Sequence, residues 1–304
     1  MKRQKAAAYG LHILRSVIYG STFLFSERLL QSASVFDVLA LRFLICAALF
    51  GVLAACGVIR ISYKGKHLRW LIATALFEPI LYFILETYGL RGISTSLAGI
   101  LAAVSPIIIA GLETVFLGEK TSPVQKLLLG VGIAGVLLAT VWNTGSSGVN
   151  TVWGILLMLG AQLSGCLFCI TSRKTSREFS AMEITFSTTM IGAVVFNGIS
   201  LAGHWRAGTV SQYFAPLLSV PNLVAFLFLS VVSSFAATVM NNYALSKIQA
   251  SSLSALGGIS TITAIVLGIV VNHEIIHWYQ LVGAALILIG AGGVNYISVK
   301  NVEK

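Results

Sequence analysis

The stretch "YGLRGISTSLAGILAAVSP", residues 88–106, is matched 155 positions later by "YALSKIQASSLSALGGIST", residues 243–261, without a gap. The same offset aligns further residues: Ile107 with Ile262, Leu112 with Leu267, Glu119 with Glu274, Gln125 with Gln280 and Gly135 with Gly290. Chance similarity between apolar segments would not keep the polar side chains aligned. The chain therefore contains two copies of one unit, and this duplication decides the fold.

Composition indicates a lipid environment for the whole chain. Hydrophobic residues make up 57% and charged residues 10% of the 304 residues, and the mean hydropathy is +0.90. Soluble domains carry about 25% charged residues, so this chain could not cover itself with polar surface. The net charge of +10 does not indicate a nucleic-acid partner, because the basic residues lie between apolar runs and are not gathered on one polar surface.

Ten apolar runs are long enough to span a bilayer. Their approximate borders are 6–26, 35–57, 70–90, 95–117, 124–142, 151–171, 182–203, 222–245, 250–271 and 278–297. Backbone polar groups in lipid must be satisfied within their own segment, which predicts an all-α integral membrane protein. The first run resembles a signal peptide, but it contains His12 and Arg15 and lacks a small-residue cleavage site, so we interpret it as the first span.

The distribution of basic residues predicts the orientation. Fifteen of the twenty Lys and Arg residues fall on one side of the predicted spans and three on the other, which places both termini in the cytoplasm of a multi-pass protein of the cell membrane. The first copy covers residues 1–142 and the second covers residues 151–304, and each contains five spans. An odd number of spans inverts the second copy relative to the first, an architecture of secondary transporters with a substrate site near the midplane.

The residues of the first copy resemble a known repeat. The segment "TYGLRGISTSLAGILAAVSPIIIAGLETVFLGEKTSPVQKLLLGVGIAGVLL", residues 87–138, resembles the EamA repeat of the drug/metabolite transporter superfamily. "YGSTF" at 19–23 and "LRF" at 41–43 resemble the opening of the same repeat. The second copy is similar but degenerate, with Thr261 at the position equivalent to Pro106.

The resemblance implies a ten-helix bundle. In such a bundle the first four spans of each half line a central cavity, and the fifth and tenth spans brace the outside. "GVGIAG", residues 130–135, has dinucleotide-loop spacing but lies inside an apolar run, so we interpret its glycines as a helix-packing face. Cys166-x-x-Cys169 lacks further ligand residues nearby, and the sequence contains no ATP-binding loop. We therefore expect neither a cofactor nor a metal.

Ionisable residues inside spans are the candidate substrate-binding or proton-coupling groups, because a charge in lipid is costly and turns towards a partner or water. Helical rise places three acid–base combinations at three heights: Arg15 with Glu78 about 13 Å deep, Arg42 with Glu86 about 10 Å and 6 Å from the external surface, and His12 with Glu113 in the cytoplasmic half. The repeat offset also maps Glu86 to Asn241 and Thr87 to Asn242. Both copies thus place two polar residues directly before the aligned tyrosines, Tyr88 and Tyr243.

Structural roles for the same residues remain open alternatives. Arg15 with Glu78 fits a permanent ion pair, and buried pairs of this kind serve packing in some proteins. Arg42, close to Asp37 in sequence, fits a helix anchor near the outer interface. Glu113 also fits a solvated edge, and Asn241-Asn242 also fit interhelical hydrogen bonding. Glu119 and Glu274, each at a turn between helices, are predicted to be helix caps or hairpin braces.

These patterns predict a secondary transporter that works by alternating access. An arginine would engage a substrate carboxylate or phosphate, and a glutamate would engage an ammonium or carry a proton, so a small polar or zwitterionic metabolite such as an amino acid fits best. The resemblance favours export. The rivals are a lipid or polyprenyl-phosphate flippase and a membrane-embedded enzyme, for which no catalytic motif is present. The oligomeric state is open, with a homodimer among the options.

Overall fold

The computed structural model describes residues 2–59, 61–117, 122–141, 151–240 and 257–302, and the regular elements in those ranges are helical. The α-helices are α1 Lys2–Leu30, α2 Val35–Ala55, α3 Leu68–Ala75, α4 Tyr82–Leu90, α5 Thr95–Ala102, α6 Ser105–Leu117, α7 Pro123–Val141, α8 Val152–Thr175, α9 Ala181–Ala207, α10 Val220–Leu227, α11 Gly258–Val270 and α12 Trp278–Val302. Wider, π-type turns form Leu76–Leu81 and Phe228–Ala236, and 3₁₀ turns form Val210–Gln212 and Ala215–Leu218.

Seven helical stretches of the described chain are long and apolar enough to cross a membrane. They are Val35–Ala55, Leu68–Leu90, Thr95–Leu112, Pro123–Thr140, Val152–Ser172, Ala181–Ala207 and Val220–Met240. Two shorter apolar helices follow, Gly258–Val270 and Trp278–Val294. The all-helical, multi-pass architecture is confirmed. The number of ten crossings and the inversion of the second copy stay predictions.

The chain divides into two compact units, and both take segments from each sequence copy. One unit contains Met1–Leu24, Gly89–Leu163 and Ala237–Lys304, and the other contains Phe25–Tyr88 and Ser164–Ala236. We call them the first and the second unit. The compact units therefore differ from the sequence halves 1–142 and 151–304, because helices that are neighbours in the chain pack in different units.

Glycines bring α7 and α12 into close contact in the first unit. A Cβ atom on Gly135 would lie 2.7 Å from the carbonyl oxygen of Gly283, and one on Gly290 would lie 2.7 Å from the carbonyl oxygen of Leu128. Lipid supplies no hydrophobic force between helices, so close van der Waals packing of small residues holds them together. The predicted packing role of the "GVGIAG" glycines is thus confirmed for Gly135.

The two sequence copies have the same helix-capping interaction in the first unit. The side-chain Oε1 of Gln125 accepts a hydrogen bond from the backbone N–H of Ser122 at 2.9 Å, and Oε1 of Gln280 accepts from the N–H of His277 at 2.9 Å. Both bonds satisfy N–H groups at helix starts that lack intrahelical partners. The aligned glutamines of the repeat therefore have the same structural role.

Glu274 caps a helix from a distant part of the first unit. Its carboxylate accepts hydrogen bonds from the backbone N–H groups of Thr95 at 2.8 Å and Ser96 at 3.0 Å, at the start of α5. A carboxylate at a helix N-terminus also complements the positive end of the helix dipole. The predicted capping role of Glu274 is confirmed, whereas Glu119 lies outside the described residues.

The second unit is built around the contact between α2 and α9. Its core contains the buried Phe43, Phe196, Leu39 and Leu229, with the ring centroids of Phe43 and Phe196 5.1 Å apart. These apolar side chains interdigitate as in other close-packed interiors. They hold the middle of α2, including Arg42, in a fixed position.

Polar contacts fasten the two ends of this α2–α9 contact. At one end, Asp37 accepts a hydrogen bond from Ser200, and its Oδ1 lies 3.1 Å from Nε2 of His204. Burial, together with the Asp37 carboxylate, raises the pKa of the nearby Tyr213 to about 12, so its hydroxyl stays neutral and donates to Asn197. At the other end, the loop between α2 and α3 is tied to the start of α9, where Nζ of Lys66 lies 2.7 Å from Oε2 of Glu183.

We expect Gly135→Ala to destabilise the protein and Gly130→Ala not to, although both glycines are on α7. The new methyl group at position 135 would clash with backbone atoms of α12, whereas position 130 has open space around it. Overpacking costs about 1–3 kcal/mol, and alanine in an exposed helix is preferred over glycine. Thermal unfolding of the purified variants in detergent measures the difference. Equal midpoints would show that α7 and α12 do not pack this closely.

Candidate functional site

A membrane-spanning stretch of the second unit is interrupted at its centre. Leu68–Leu90 begins with α3 and ends with α4, and between them Leu76–Leu81 forms wider turns. Glu78 has the extended backbone angles φ −143° and ψ 120°, and it precedes Pro79. Proline lacks an N–H group and disfavours helical geometry in the residue before it. The sequence Glu78-Pro79 therefore explains the break.

Neighbouring helices accommodate this break. The hydroxyl of Ser164 on α8 donates a hydrogen bond of 2.8 Å to the carbonyl oxygen of Phe77, next to the break. On α9, a Cβ atom at Gly192 would lie 2.7 Å from Cγ of Pro79, so only glycine lets the proline ring approach this closely. Freed backbone groups at membrane depth need such partners, because lipid provides none.

The other sequence copy has wider, π-type turns at the equivalent place. Shifted by 155 positions, residues 76–81 fall on residues 231–236, which lie within the wider turns of Phe228–Ala236. The hydroxyl of Ser234 donates to the carbonyl oxygen of Leu229 at 2.9 Å. π-type turns inside helices are frequent at functional sites, and irregular stretches at corresponding positions of two repeats are a feature of transporter binding sites.

Arg42 connects α2 to both interrupted stretches. It is 5% exposed, and its Nη2 atom donates a hydrogen bond of 3.4 Å to the hydroxyl of Ser234. The hydroxyl of Ser230 donates to the backbone carbonyl of Arg42 at 2.9 Å. On the other side, the guanidinium carbon lies 4.5 Å from the ring centroid of Phe83 on α4. A guanidinium over an aromatic face gains a cation–π attraction that grows when water is excluded.

Glu86 on α4 is the second buried ionisable side chain of this region. It is also 5% exposed, its Oε1 atom accepts a hydrogen bond of 2.8 Å from the hydroxyl of Tyr82, and its carboxylate interacts electrostatically with Arg42. We call Arg42, Tyr82, Phe83, Glu86 and Ser234 the Arg42–Glu86 cluster. A buried cation and a buried carboxylate attract each other strongly because little water screens them.

This arrangement allows two kinds of chemistry. The planar guanidinium of Arg42 can bind a carboxylate or phosphate through paired hydrogen bonds. The carboxylate of Glu86 can bind an ammonium group or take up a proton, with the Tyr82 hydroxyl as its neutral neighbour. A substrate anion that engages Arg42 would therefore compete with Glu86 for the same guanidinium.

Of the three acid–base combinations predicted from sequence, Arg42 and Glu86 lie in the same unit, where their charges interact electrostatically, and their direct pairing stays a prediction. Asp37, the sequence neighbour of Arg42, instead bonds Ser200 and His204. Arg15 belongs to the first unit and Glu78 to the second, so their pairing stays a prediction. Within α1, the guanidinium carbon of Arg15 lies 5.6 Å from the ring centroid of Tyr19.

The remaining predicted residues are not placed in this cluster. His12 is buried on α1, where its carbonyl accepts a hydrogen bond of 3.0 Å from Ser16. Glu113 is on α6, but its side chain lies outside the described part of the structure. Asn241 and Asn242 also lie outside the described residues. Their proposed roles are therefore still predictions.

Four members of the Arg42–Glu86 cluster and its surroundings were missed from sequence: Tyr82, Phe83, Ser230 and Ser234. Two signals could have found them. Tyr82 precedes Glu86 by four residues, the spacing at which side chains meet on a helix. Pro79 inside an apolar run indicated a broken helix, and the repeat offset carries that break to the serine-containing stretch of the second copy.

We expect Arg42→Gln and Glu86→Gln to destabilise the fold singly, by about 1–3 kcal/mol, because each removes one of two opposite charges buried in the same region. The double variant is expected to recover part of this loss. The double-mutant coupling should exceed about 0.5 kcal/mol, the range for residues in direct contact. Denaturation of the four proteins in detergent measures it. Additive losses would show that the two side chains do not interact.

Comparison with known proteins agrees with a membrane protein built from two sequence copies. The sequence profile of the EamA-like transporter family matches residues 6–141 and 152–296. "Uncharacterized transporter YcxC" of Bacillus subtilis (strain 168) is 36% identical over 304 residues, which cover 100% of this chain and 96% of that protein. "WAT1-related protein At3g02690, chloroplastic" of Arabidopsis thaliana is 27% identical over 246 residues, 77% of this chain and 58% of that protein.

A solved crystal structure shares the fold, with a TM-score of 0.59 at 16% sequence identity over 96% of this chain and 98% of that one. The family profile covers both sequence copies, and the similarity to the Bacillus transporter extends over the full chain. The chain therefore belongs to the EamA-like transporter family.

Proposed function

We propose that this membrane transporter exports small polar or zwitterionic metabolites, such as amino acids, by alternating access coupled to protons. The observation that carries the proposal is that Arg42 and Glu86 are both buried in the part of the second unit that contains the helix break at Glu78-Pro79 and the π-type turns Phe228–Ala236. Export is the direction that the family resemblance implies. Membership of a transporter family also favours transport over the alternative of a membrane-embedded enzyme.

A zwitterion fits the two opposite charges of the cluster. Its carboxylate would bind the guanidinium of Arg42, and its ammonium or a proton would neutralise Glu86. In the absence of substrate, Arg42 keeps its contacts with Ser234 and Phe83, and Glu86 keeps its hydrogen bond from Tyr82. Exchange of the internal partner for substrate or proton would thus couple occupancy to conformation, as alternating access requires.

The interrupted stretches support a site at this depth. Broken helices in transporters present backbone groups and helix ends to polar substrates near the membrane midplane. Phe77, beside the first break, has its carbonyl bonded by Ser164, and Leu229, in the second, has its carbonyl bonded by Ser234. Hydroxyl groups that exchange partners easily are suited to a stretch that rearranges during transport.

A flippase for lipid-linked substrates is the alternative from another class. A flippase is expected to have a lateral opening lined by arginines. A groove of about 400 Å³ does exist in the first unit, but the eight residues that line it are apolar or glycine: Val104, Ile108, Ile133, Val136, Leu137, Leu159, Gly160 and Leu163. This groove fits contact with acyl chains and offers no group for a phosphate.

We expect Glu86→Gln to abolish the dependence of amino-acid flux on a pH gradient in proteoliposomes. The amide cannot take up a proton, so gradient-driven flux should fall on the order of a hundredfold, in keeping with the several kcal/mol that a buried charge is worth. Glu178→Gln is the matched control, because Glu178 is exposed on a loop. Uptake of labelled amino acids with and without the gradient measures both variants.

Retention of gradient-driven flux by Glu86→Gln would contradict proton coupling through the cluster. If the wild-type protein moves a fluorescent lipid and no amino acid in the same vesicles, the flippase alternative is correct.

Glu78→Gln is the companion variant, since Glu78 lies in the broken stretch next to Pro79. We expect it to lose proton-driven flux and keep its fold, and unchanged flux would remove Glu78 from the mechanism.

The inverted arrangement is tested by labelling. We expect a cysteine introduced at Gly145, between the two sequence copies, to react with an impermeant maleimide from outside the cell. A cysteine at Lys304 should react only after the membrane is opened, because the excess of basic residues places the termini inside. Labelling from the same side at both positions would show that the copies are parallel.

A further inference from the structure

Two cations meet one tryptophan where α3 begins and α8 ends. Nζ of Lys174 lies 4.9 Å from the ring centroid of Trp70, and the guanidinium carbon of Arg69 lies 5.7 Å from it. Both cations are exposed, whereas the tryptophan is partly buried. We call Arg69, Trp70 and Lys174 the Trp70 cluster.

Hydrogen bonds between the two helices hold the Trp70 cluster in place. The hydroxyls of Thr74 and Thr175 lie 2.8 Å apart, and the hydroxyl of Thr175 donates to the backbone carbonyl of Trp70 at 3.2 Å. Both threonines are buried. The two cations therefore project from a rigid junction and not from a loose surface.

The cluster lies at the ends of two helical stretches that are long and apolar enough to cross a membrane. The span Leu68–Leu90 begins one residue before Arg69, and the span Val152–Ser172 ends two residues before Lys174. Below the cations, Leu68, Ile72 and Leu76 are 48%, 60% and 47% exposed. At a spacing of four residues they form one apolar stripe along the helical stretch. Tryptophan is itself typical of the membrane–water interface.

The surroundings leave the cluster strongly cationic. Lys66 and Glu183 neutralise each other at 2.7 Å. Glu178 is occupied by His67, whose backbone N–H donates to Oε2 at 2.7 Å, and this hydrogen bond lowers the pKa of the Glu178 carboxyl.

Apart from Lys66, the described side chains of residues 61–70 and 174–178 include four Lys and Arg cations and one carboxylate, that of Glu178. The four cations are Lys64, Arg69, Lys174 and Arg177.

We propose that the Trp70 cluster binds the headgroup phosphate of an anionic phospholipid. Paired basic side chains between membrane helices on the cytoplasmic side are suited to such headgroups. The apolar stripe Leu68, Ile72 and Leu76 favours a lipid over a soluble phosphate, because it continues from the cations into the membrane. The site is separate from the Arg42–Glu86 cluster and does not depend on the proposed transport mechanism.

The experiment measures lipid binding to the purified full chain in detergent by native mass spectrometry. The wild-type protein is titrated with phosphatidylglycerol, phosphatidylcholine or inorganic phosphate. We expect phosphatidylglycerol to bind tightly and the other two to bind weakly. Each basic side chain near an anionic headgroup strengthens binding about fivefold, so Arg69→Gln with Lys174→Gln should weaken it about 25-fold.

Two further variants isolate the site. Arg91→Gln with Arg206→Gln removes the same charge at exposed positions elsewhere and should bind phosphatidylglycerol like the wild type. Arg69→Lys with Lys174→Arg keeps the charge and should keep the binding. If the double glutamine variant fails to fold, Lys174→Gln alone gives the same test with about a fivefold loss.

The proposal is wrong if the glutamine variant binds phosphatidylglycerol as tightly as the Arg91/Arg206 control. It is also wrong if phosphatidylcholine binds as well as phosphatidylglycerol, since the headgroup charge would then have no role. Equal binding of inorganic phosphate would identify a site for a soluble anion and exclude the lipid. Proteoliposome flux is not part of this measurement, so failure here leaves the proposed transport function unaffected.

Discussion

Hydrocarbon offers no hydrogen-bond partner, and this constraint governs the entire structure. It explains why the described chain is helical, since a helix satisfies its backbone internally. It also explains the surroundings of the helix break at Glu78-Pro79 and of the π-type turns Phe228–Ala236, where hydroxyl groups bond backbone carbonyls. Ser164 serves the carbonyl of Phe77, and Ser234 serves that of Leu229. A break in lipid is stable only because such partners stand beside it.

The same constraint applies to charge. Arg42 and Glu86 are almost completely buried, and their opposite charges interact where little water screens them. Tyr82, Phe83 and Ser234 complete their surroundings with a hydroxyl, an aromatic face and a second hydroxyl. A pair of this kind resists opening unless another charge takes the place of one partner. Selectivity for a substrate with both charges would follow from that exchange.

Duplication in the sequence and compactness in the structure divide the chain differently. The two copies retain equivalent local features, such as the capping glutamines Gln125 and Gln280 and the paired helix interruptions. The compact units nevertheless each combine segments of both copies. Local features repeat because they depend on neighbouring residues, whereas packing partners are selected across the whole chain. Close contacts such as Gly135 with Gly283 join a helix of one copy to a helix of the other.

The membrane environment, the helical class, the duplication and the family resemblance could be predicted from the sequence alone, because these depend on composition, periodicity and register. It also identified Arg42 and Glu86 as costly buried charges at similar depth. The partners of these side chains depend on the tertiary arrangement, in which Asp37 turns to Ser200 and His204, and Ser230 and Ser234 reach Arg42. Depth along a helix follows from residue number, but the facing of a side chain depends on helix rotation and on which helices become neighbours.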